Sequence, residues 1–248
     1  PPPASISSDK VLKEFYFHDN DSAEDTHRHL SHLYGLHPGS VMHVSGNEEW
    51  LKAAEYTLDC RSKEGDWAGW GIVWRIYLYS RLFCAEKAGR MLDLLFDEQN
   101  GLLLPNGFAA HPYECGHIFQ YDANAGFPGA LLEMFVSCPT DAIRLLPAGD
   151  TSCHRGGVRG AEAPHLLPAV PARFKSGRIR GVRTFGGFVV EDLVFRDGTV
   201  VSCTILSENG GALSVEIKGR RLSCDTERGE RYAVGEGGFV LQRISDAK

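Results

Sequence analysis

The sequence predicts an α+β chain in which helices come first and antiparallel strands follow. Three observations point there. Apolar residues recur at helical spacing as far as Val136. Short alternating runs joined by Gly-Gly and Asp-Gly turns occupy the chain beyond Pro171. Helices and strands do not alternate, which argues for two layered units rather than a parallel βαβ sheet. The expected division is a helical part over residues 1–140, a linker or insertion over 141–177, and a β part over 178–248.

Thr26 is placed to cap a first helix over 27–36, closed by Gly35 and Pro38-Gly39. Asn47 is placed to cap a second, where Trp50, Leu51, Ala54 and Leu58 share a face before Gly65. Residues 70–83 carry Ile72, Ile76, Leu78, Tyr79 and Leu82 on more than one side, the mark of a helix buried on two faces. Residues 85–96 place Ala88, Met91, Leu92, Leu95 and Phe96 at helical spacing, and 126–136 supply a fifth candidate with Leu131, Leu132, Met134 and Phe135. Four glycines and few apolar residues make 149–165 read as an exposed loop, bracketed by LLPA at 145–148 and again at 166–169. Strands are expected over 178–183, 187–195, 199–206, 212–217, 232–234 and 239–244, with RDGTV at 196–200 the clearest hairpin signal.

With 248 residues, 43% hydrophobic and 23% charged, the chain can bury a sizeable core. A net charge of −6 argues against a nucleic-acid partner, because neutralising phosphates needs a basic surface. The apolar runs are far shorter than the roughly 20 residues that span a bilayer, so no membrane partner is expected. No basic, apolar, small-residue leader opens the chain. No glycine-rich loop follows a strand, which leaves nucleotide chemistry unsupported. The seven cysteines, Cys60, Cys84, Cys115, Cys138, Cys153, Cys203 and Cys224, form no CxxC pair and read mostly as buried thiols.

Three stretches could carry chemistry. HRHLSHLYGLHPG at 27–39 sets His27, Arg28, His29, His32 and His37 among leucines and a tyrosine. A metal site on His27, His29 and His32, a set of satisfied half-buried histidines, and a wall that donates to and accepts from sugar hydroxyls all fit these residue types. In HIFQYDANAGFPGALLEM at 117–134, Asp122 and Asn124 precede a helix. The free amides and dipole there keep a carboxylate ionised, able to orient water but a poor proton donor; a simple N-cap is the alternative. Trp67, Trp70 and Trp74 could stack on a sugar ring or fill space between helices.

The ordered set HRHLSHLYGLHPG, TLDCR at 57–61, GWGIVWRIYLYSRL at 69–82, FQYDANAG at 119–126, LLEM at 131–134, LLPAVP at 166–171 and RIRGVRTFGGFVV at 178–190 resembles glycoside hydrolase family 95. These are the inverting α-L-fucosidases, with α-L-galactosidase members. The resemblance implies the later helices of an (α/α)6 toroid followed by a C-terminal antiparallel, sandwich-like β-domain. Family members are several times longer, so it also implies a missing N-terminal half as partner and exposed apolar faces where that half would pack.

By the same resemblance Arg28 and His29 match a substrate-binding Arg-His pair. Asp122 matches the aspartate that activates water together with an upstream asparagine pair. The family's sugar-contacting histidine falls at Gly116, one residue before His117, and Ala123 and Ala125 stand where the family has Gly and Phe. Asn124 and Trp70 complete the expected substrate-binding set. Glu14-Phe15 resembles a Glu-Trp that precedes the histidine segment. The family's general acid and water-positioning asparagines have no match among residues 1–26. Inversion needs two groups on opposite ring faces, roughly 6.5–9.5 Å apart, so the chain alone is expected to have little or no activity. The expectations are a fucosylated glycan as substrate, no metal, no cofactor, and secretion by family likeness. A sugar-binding or interaction module without catalysis is the rival, and a histidine-based metal protein a second one.

Overall fold

The computed structural model describes residues 5–14, 23–24, 26–42, 47–63, 67–110, 118–138, 163–235 and 240–244. The chain divides into two compact units, Pro1–Leu132 and Glu133–Lys248. His117, Cys115, Cys153 and most of the expected loop at 149–165 lie outside the described residues.

The first unit is helical. Helix α1, Glu48–Cys60, starts where Asn47 Oδ1 accepts the amides of Glu49 and Trp50 at 3.0 and 3.3 Å. Its buried face is Ala53, Ala54, Thr57, Leu58 and Cys60. Helix α2, Gly69–Arg81, is buried nearly all round, as its apolar residues on several sides require. Helix α3, Ala85–Phe96, buries one face through Ala88, Gly89, Met91, Leu92 and Leu95. Helix α4, Tyr121–Glu133, begins five residues before the expected start and contains Pro128, which cannot donate to the carbonyl of Asn124. Several large apolar side chains of this unit are exposed, among them Tyr34, Phe96, Phe108, Ile118, Phe119 and Tyr121.

The expected helix over 27–36 is not there. Only a 3-10 turn, Ser31–Gly35, forms, with Leu33 buried beneath it. Donors at the end of α1 and on α2 serve this segment's carbonyls, two of which, those of Arg28 and His29, a helix would have paired internally. Arg61 reaches His29 O at 2.6 Å, Arg75 reaches Arg28 O at 3.4 Å, and Trp74 Nε1 reaches His37 O at 3.0 Å. Arg81 donates to Leu36 O and Gly39 O at 3.3 and 3.1 Å. Buried carbonyls need a partner, and here tertiary donors replace the helical ladder. The one-face arrangement of His29 and His32 falls with the helix.

The second unit carries two sheets. Strands β1 (Val136–Ser137), β2 (His165–Leu166), β7 (Gly211–Ile217) and β8 (Arg220–Thr226) form one, in the order β1-β2-β7-β8. Strands β3 (Ser176–Ile179), β5 (Phe188–Arg196), β6 (Thr199–Ser207), β9 (Arg231–Val234) and β10 (Leu241–Arg243) form the other, in the order β10-β9-β6-β5-β3. β4 (Val182–Thr184) also pairs with β5. Every pair is antiparallel except β2 with β7, which is parallel and amends the all-antiparallel expectation. The core draws on both sheets: Leu166, Leu213 and Val215 from one, Val190, Leu193, Phe195, Ile205, Tyr232 and Val234 from the other.

The hairpin at RDGTV turns on Asp197 and Gly198, both at positive φ, which matches the twist of the strands they join. A single run over 178–183 is instead two strands, broken at Gly181, where φ is +74°. Strand β8 has no counterpart among the expected strands. It is an edge strand whose inward residues, Leu222 and Cys224, are only half-buried, so its alternation is faint. Residues 163–166 are buried, and His165 and Leu166 pair with β7, so the end of the expected exposed loop belongs to the core. Of the five cysteines described, Cys60 and Cys203 are buried and Cys84, Cys138 and Cys224 are half-buried, all as free thiols.

Candidate active site

Three segments of the helical unit meet through side-chain contacts. The ring of His29 lies 5.4 Å from that of Trp70, edge-on at 73°, and 4.7 Å from the ring of His27. Trp70, near the start of α2, is held by Gln120, whose Oε1 accepts its amide at 3.3 Å. Two residues further on, Asp122 stands in the first turn of α4. His29 and Asp122, 93 positions apart, are thus joined by two contacts and one short peptide step.

Asp122 is exposed, and its Oδ1 accepts the amide of Ala123 at 3.0 Å. A carboxylate exposed in the first turn of a helix is placed to orient water. Beside it Phe119 touches Phe108 at 4.8 Å and Tyr121 at 6.3 Å, all three exposed. Asn124 spends its amide on the neighbouring loop: Oδ1 accepts from Ala109 N at 2.7 Å and Nδ2 donates to Gly107 O at 3.0 Å. A cavity of about 160 Å³ opens next to it, lined by Leu95, Phe96, Ala123, Asn124 and Phe127 among others. That is smaller than the roughly 300 Å³ at which ordinary ligand pockets begin.

Behind the exposed side chains lies a layer of buried arginines with no obvious local signature. Arg75, 1% exposed, donates to Arg61 O at 2.9 Å, Gly71 O at 3.1 Å and Ser62 Oγ at 3.2 Å, besides Arg28 O. Its guanidinium also lies 5.4 Å over Trp67. Arg61 bridges His29 O and the carboxylate of Glu14 at 3.0 Å. Glu14 also accepts from Ser31 Oγ at 3.0 Å and faces His32 Nδ1 at 3.9 Å. Glu14 is therefore part of the scaffold that holds the histidine segment. The one sequence signal for this layer is a charged residue inside an apolar helix, Arg75 in WRIY, since a buried charge must find partners.

The tryptophans divide their work. Trp67 covers Arg75, Trp74 ties down His37 O, and Trp70 alone meets His29. The His37 ring stacks on Tyr77 at 4.0 Å, and burial beside Arg81 holds its pKa down to about 3, so it is neutral at ordinary pH. Among the described residues no group of three or more His, Cys, Asp or Glu side chains could hold a metal ion.

Residues 1–135 match the glycosyl hydrolase family 95 catalytic domain, and residues 161–237 match the glycoside hydrolase family 95 C-terminal domain. The chain is 35% identical to Alpha-L-fucosidase 2 of Arabidopsis thaliana, over 91% of its own length and 24% of that protein. It is 33% identical to Probable alpha-fucosidase A of Aspergillus niger, over 84% of its length and 26% of the relative. The same-named protein of Aspergillus oryzae is also 33% identical, over 80% and 27%. The chain thus spans about a quarter of the length of the curated relatives it matches. A catalytic-domain match over more than half of the 248 residues decides the family: the chain belongs to glycoside hydrolase family 95.

Proposed function

We propose that this chain supplies part of a site that hydrolyses terminal α-L-fucosyl, or related α-L-galactosyl, residues of glycans with inversion. Its helices are then the later helices of the family's toroid. Asp122 takes the water side of the reaction, accepting the proton of the attacking water. Arg28, His29 and Trp70 form the wall that receives the sugar, with directed polar groups for hydroxyls and an aromatic edge for the apolar ring face. His117, five residues before Asp122 in the sequence, adds a further sugar contact in this reading. Asn124 serves by holding the 107–109 loop against α4. The contact path from His29 through Trp70 and Gln120 to Asp122 is the observation that supports this reading.

An inverting hydrolysis also needs an acid on the leaving-group side. Glu14 is committed to Arg61, Ser31 and His32 and is not that acid. The 248 residues by themselves are therefore expected to bind sugar without turning it over. Calorimetry should show L-fucose or L-galactose binding that weakens at least tenfold in Arg28→Ala or His29→Ala. No nitrophenol should be released from 4-nitrophenyl α-L-fucoside. Release that Asp122→Ala abolishes would overturn the inactivity, and absence of any sugar binding would overturn the site.

A further inference from the structure

Gln120 links the start of α2 to the foot of α4 and also meets the loop at Ala109. It is 6% exposed. Its backbone amide donates to Ala109 O at 2.9 Å, and its backbone carbonyl accepts from Asn124 N at 3.3 Å. Its side-chain oxygen accepts the amide of Trp70, while its buried Nε2 has no hydrogen-bond partner among the described residues.

The chemistry of α2 explains why that oxygen matters. The first amides of a helix have no partner within the helix, and a polar side chain at the N-cap usually serves one of them. The cap residue of α2 is Ala68, which has extended backbone angles but no side chain able to accept. Gln120 performs the capping from another element. The approach is close because Gly69 lacks a side chain: a methyl there would stand 3.1 Å from Gln120 Oε1, 3.2 Å from Ala123 Cβ and 3.5 Å from Ala109 Cβ. The start of the tryptophan helix thus rests directly on the start of the aspartate helix.

We infer that Gln120 is a positioning residue, which caps α2 from the foot of α4 and thereby sets the separation of the Trp70–His29 wall from Asp122. This rests on the sugar-site reading above. A cap supplied by a neighbour on α2 itself would stabilise the helix equally well but would leave that separation free. The Nε2, unpartnered among the described residues, makes the test clean. Replacing it by oxygen breaks no hydrogen bond, and a glutamic acid side chain, held neutral by burial, still offers an acceptor to Trp70.

Three variants are compared by ¹⁵N NMR of the Trp70 amide and by calorimetry with L-fucose. In Gln120→Met the Trp70 amide proton should move upfield and exchange faster, and sugar affinity should fall tenfold or more. Gln120→Glu should keep the amide signal and stay within about threefold of the parent affinity. Ala68→Ser added to Gln120→Met restores a cap within α2, so thermal stability should recover while sugar affinity stays low. Recovery of both would reduce Gln120 to a mere cap and overturn the inference. An unmoved Trp70 amide in Gln120→Met, or equal losses in the Met and Glu variants, would overturn it as well. A parent chain that binds no sugar while Gln120→Met still shifts the Trp70 amide would instead sink the sugar-site reading.

Discussion

Replacing Arg75 by methionine removes a guanidinium that is 1% exposed while keeping most of its volume. Three acceptors then lose a partner in the interior: Arg61 O, now bonded at 2.9 Å, Gly71 O, at 3.1 Å, and Ser62 Oγ, at 3.2 Å. The contact to Arg28 O, at 3.4 Å, is weaker. Each buried acceptor left unmade costs about 1–3 kcal/mol. No longer burying a charge offsets part of that sum. A net loss of about 3 kcal/mol is expected, a large share of the roughly 5–15 kcal/mol that ordinary domains possess. Lysine should recover less than half of it, since one ammonium on a flexible stem cannot reproduce the guanidinium fork. Urea unfolding followed by tryptophan fluorescence isolates the effect, because all four tryptophans, Trp50, Trp67, Trp70 and Trp74, lie within the helical unit. A variant within about 0.5 kcal/mol of the parent, inside the range of ordinary surface substitutions, would refute the view that Arg75 holds up the histidine segment.

Two further outcomes test the packing of each unit separately. His37 has a pKa of about 3 when folded, mainly through burial, against roughly 6.5 when unfolded. Between these values the unfolded chain binds a proton that the folded chain refuses, so this contribution is complete above about 6.5 and is lost as pH falls. His37→Phe keeps a ring on Tyr77 and should make the helical unit less acid-sensitive, by about 2 kcal/mol between pH 6.5 and 5; an unchanged pH slope would contradict the assignment. Gly177→Ala, for its part, would place a methyl 2.7 Å from Cζ of buried Phe195 on the facing strand. Overpacking of that kind costs about 1–3 kcal/mol. Circular dichroism of the sheet transition should record it while tryptophan fluorescence stays unchanged, and an unmoved sheet transition would argue against the packing.

What near neighbours control was legible in the sequence. Helix α3 spans Ala85–Phe96, the range its apolar spacing marks out, because one buried face is a local pattern. Asn47 caps α1, and Asp197-Gly198 turns β5 into β6, because a cap and a two-residue turn are decided within four residues. Asp122, expected just ahead of a helix beginning at 126, stands instead in the first turn of one that begins at Tyr121.

Tertiary structure decided the rest. Residues 27–36 have helical spacing, yet their carbonyls are served by Arg61 and Arg75, which lie more than thirty positions away. Strand β2 runs parallel to β7, and the α2 cap comes from Gln120; neither leaves a mark within its own window of sequence. Short-range preferences are worth about 1 kcal/mol per residue or less. A buried carbonyl without a partner costs more than that, so wherever the two compete the distant donor determines the local structure.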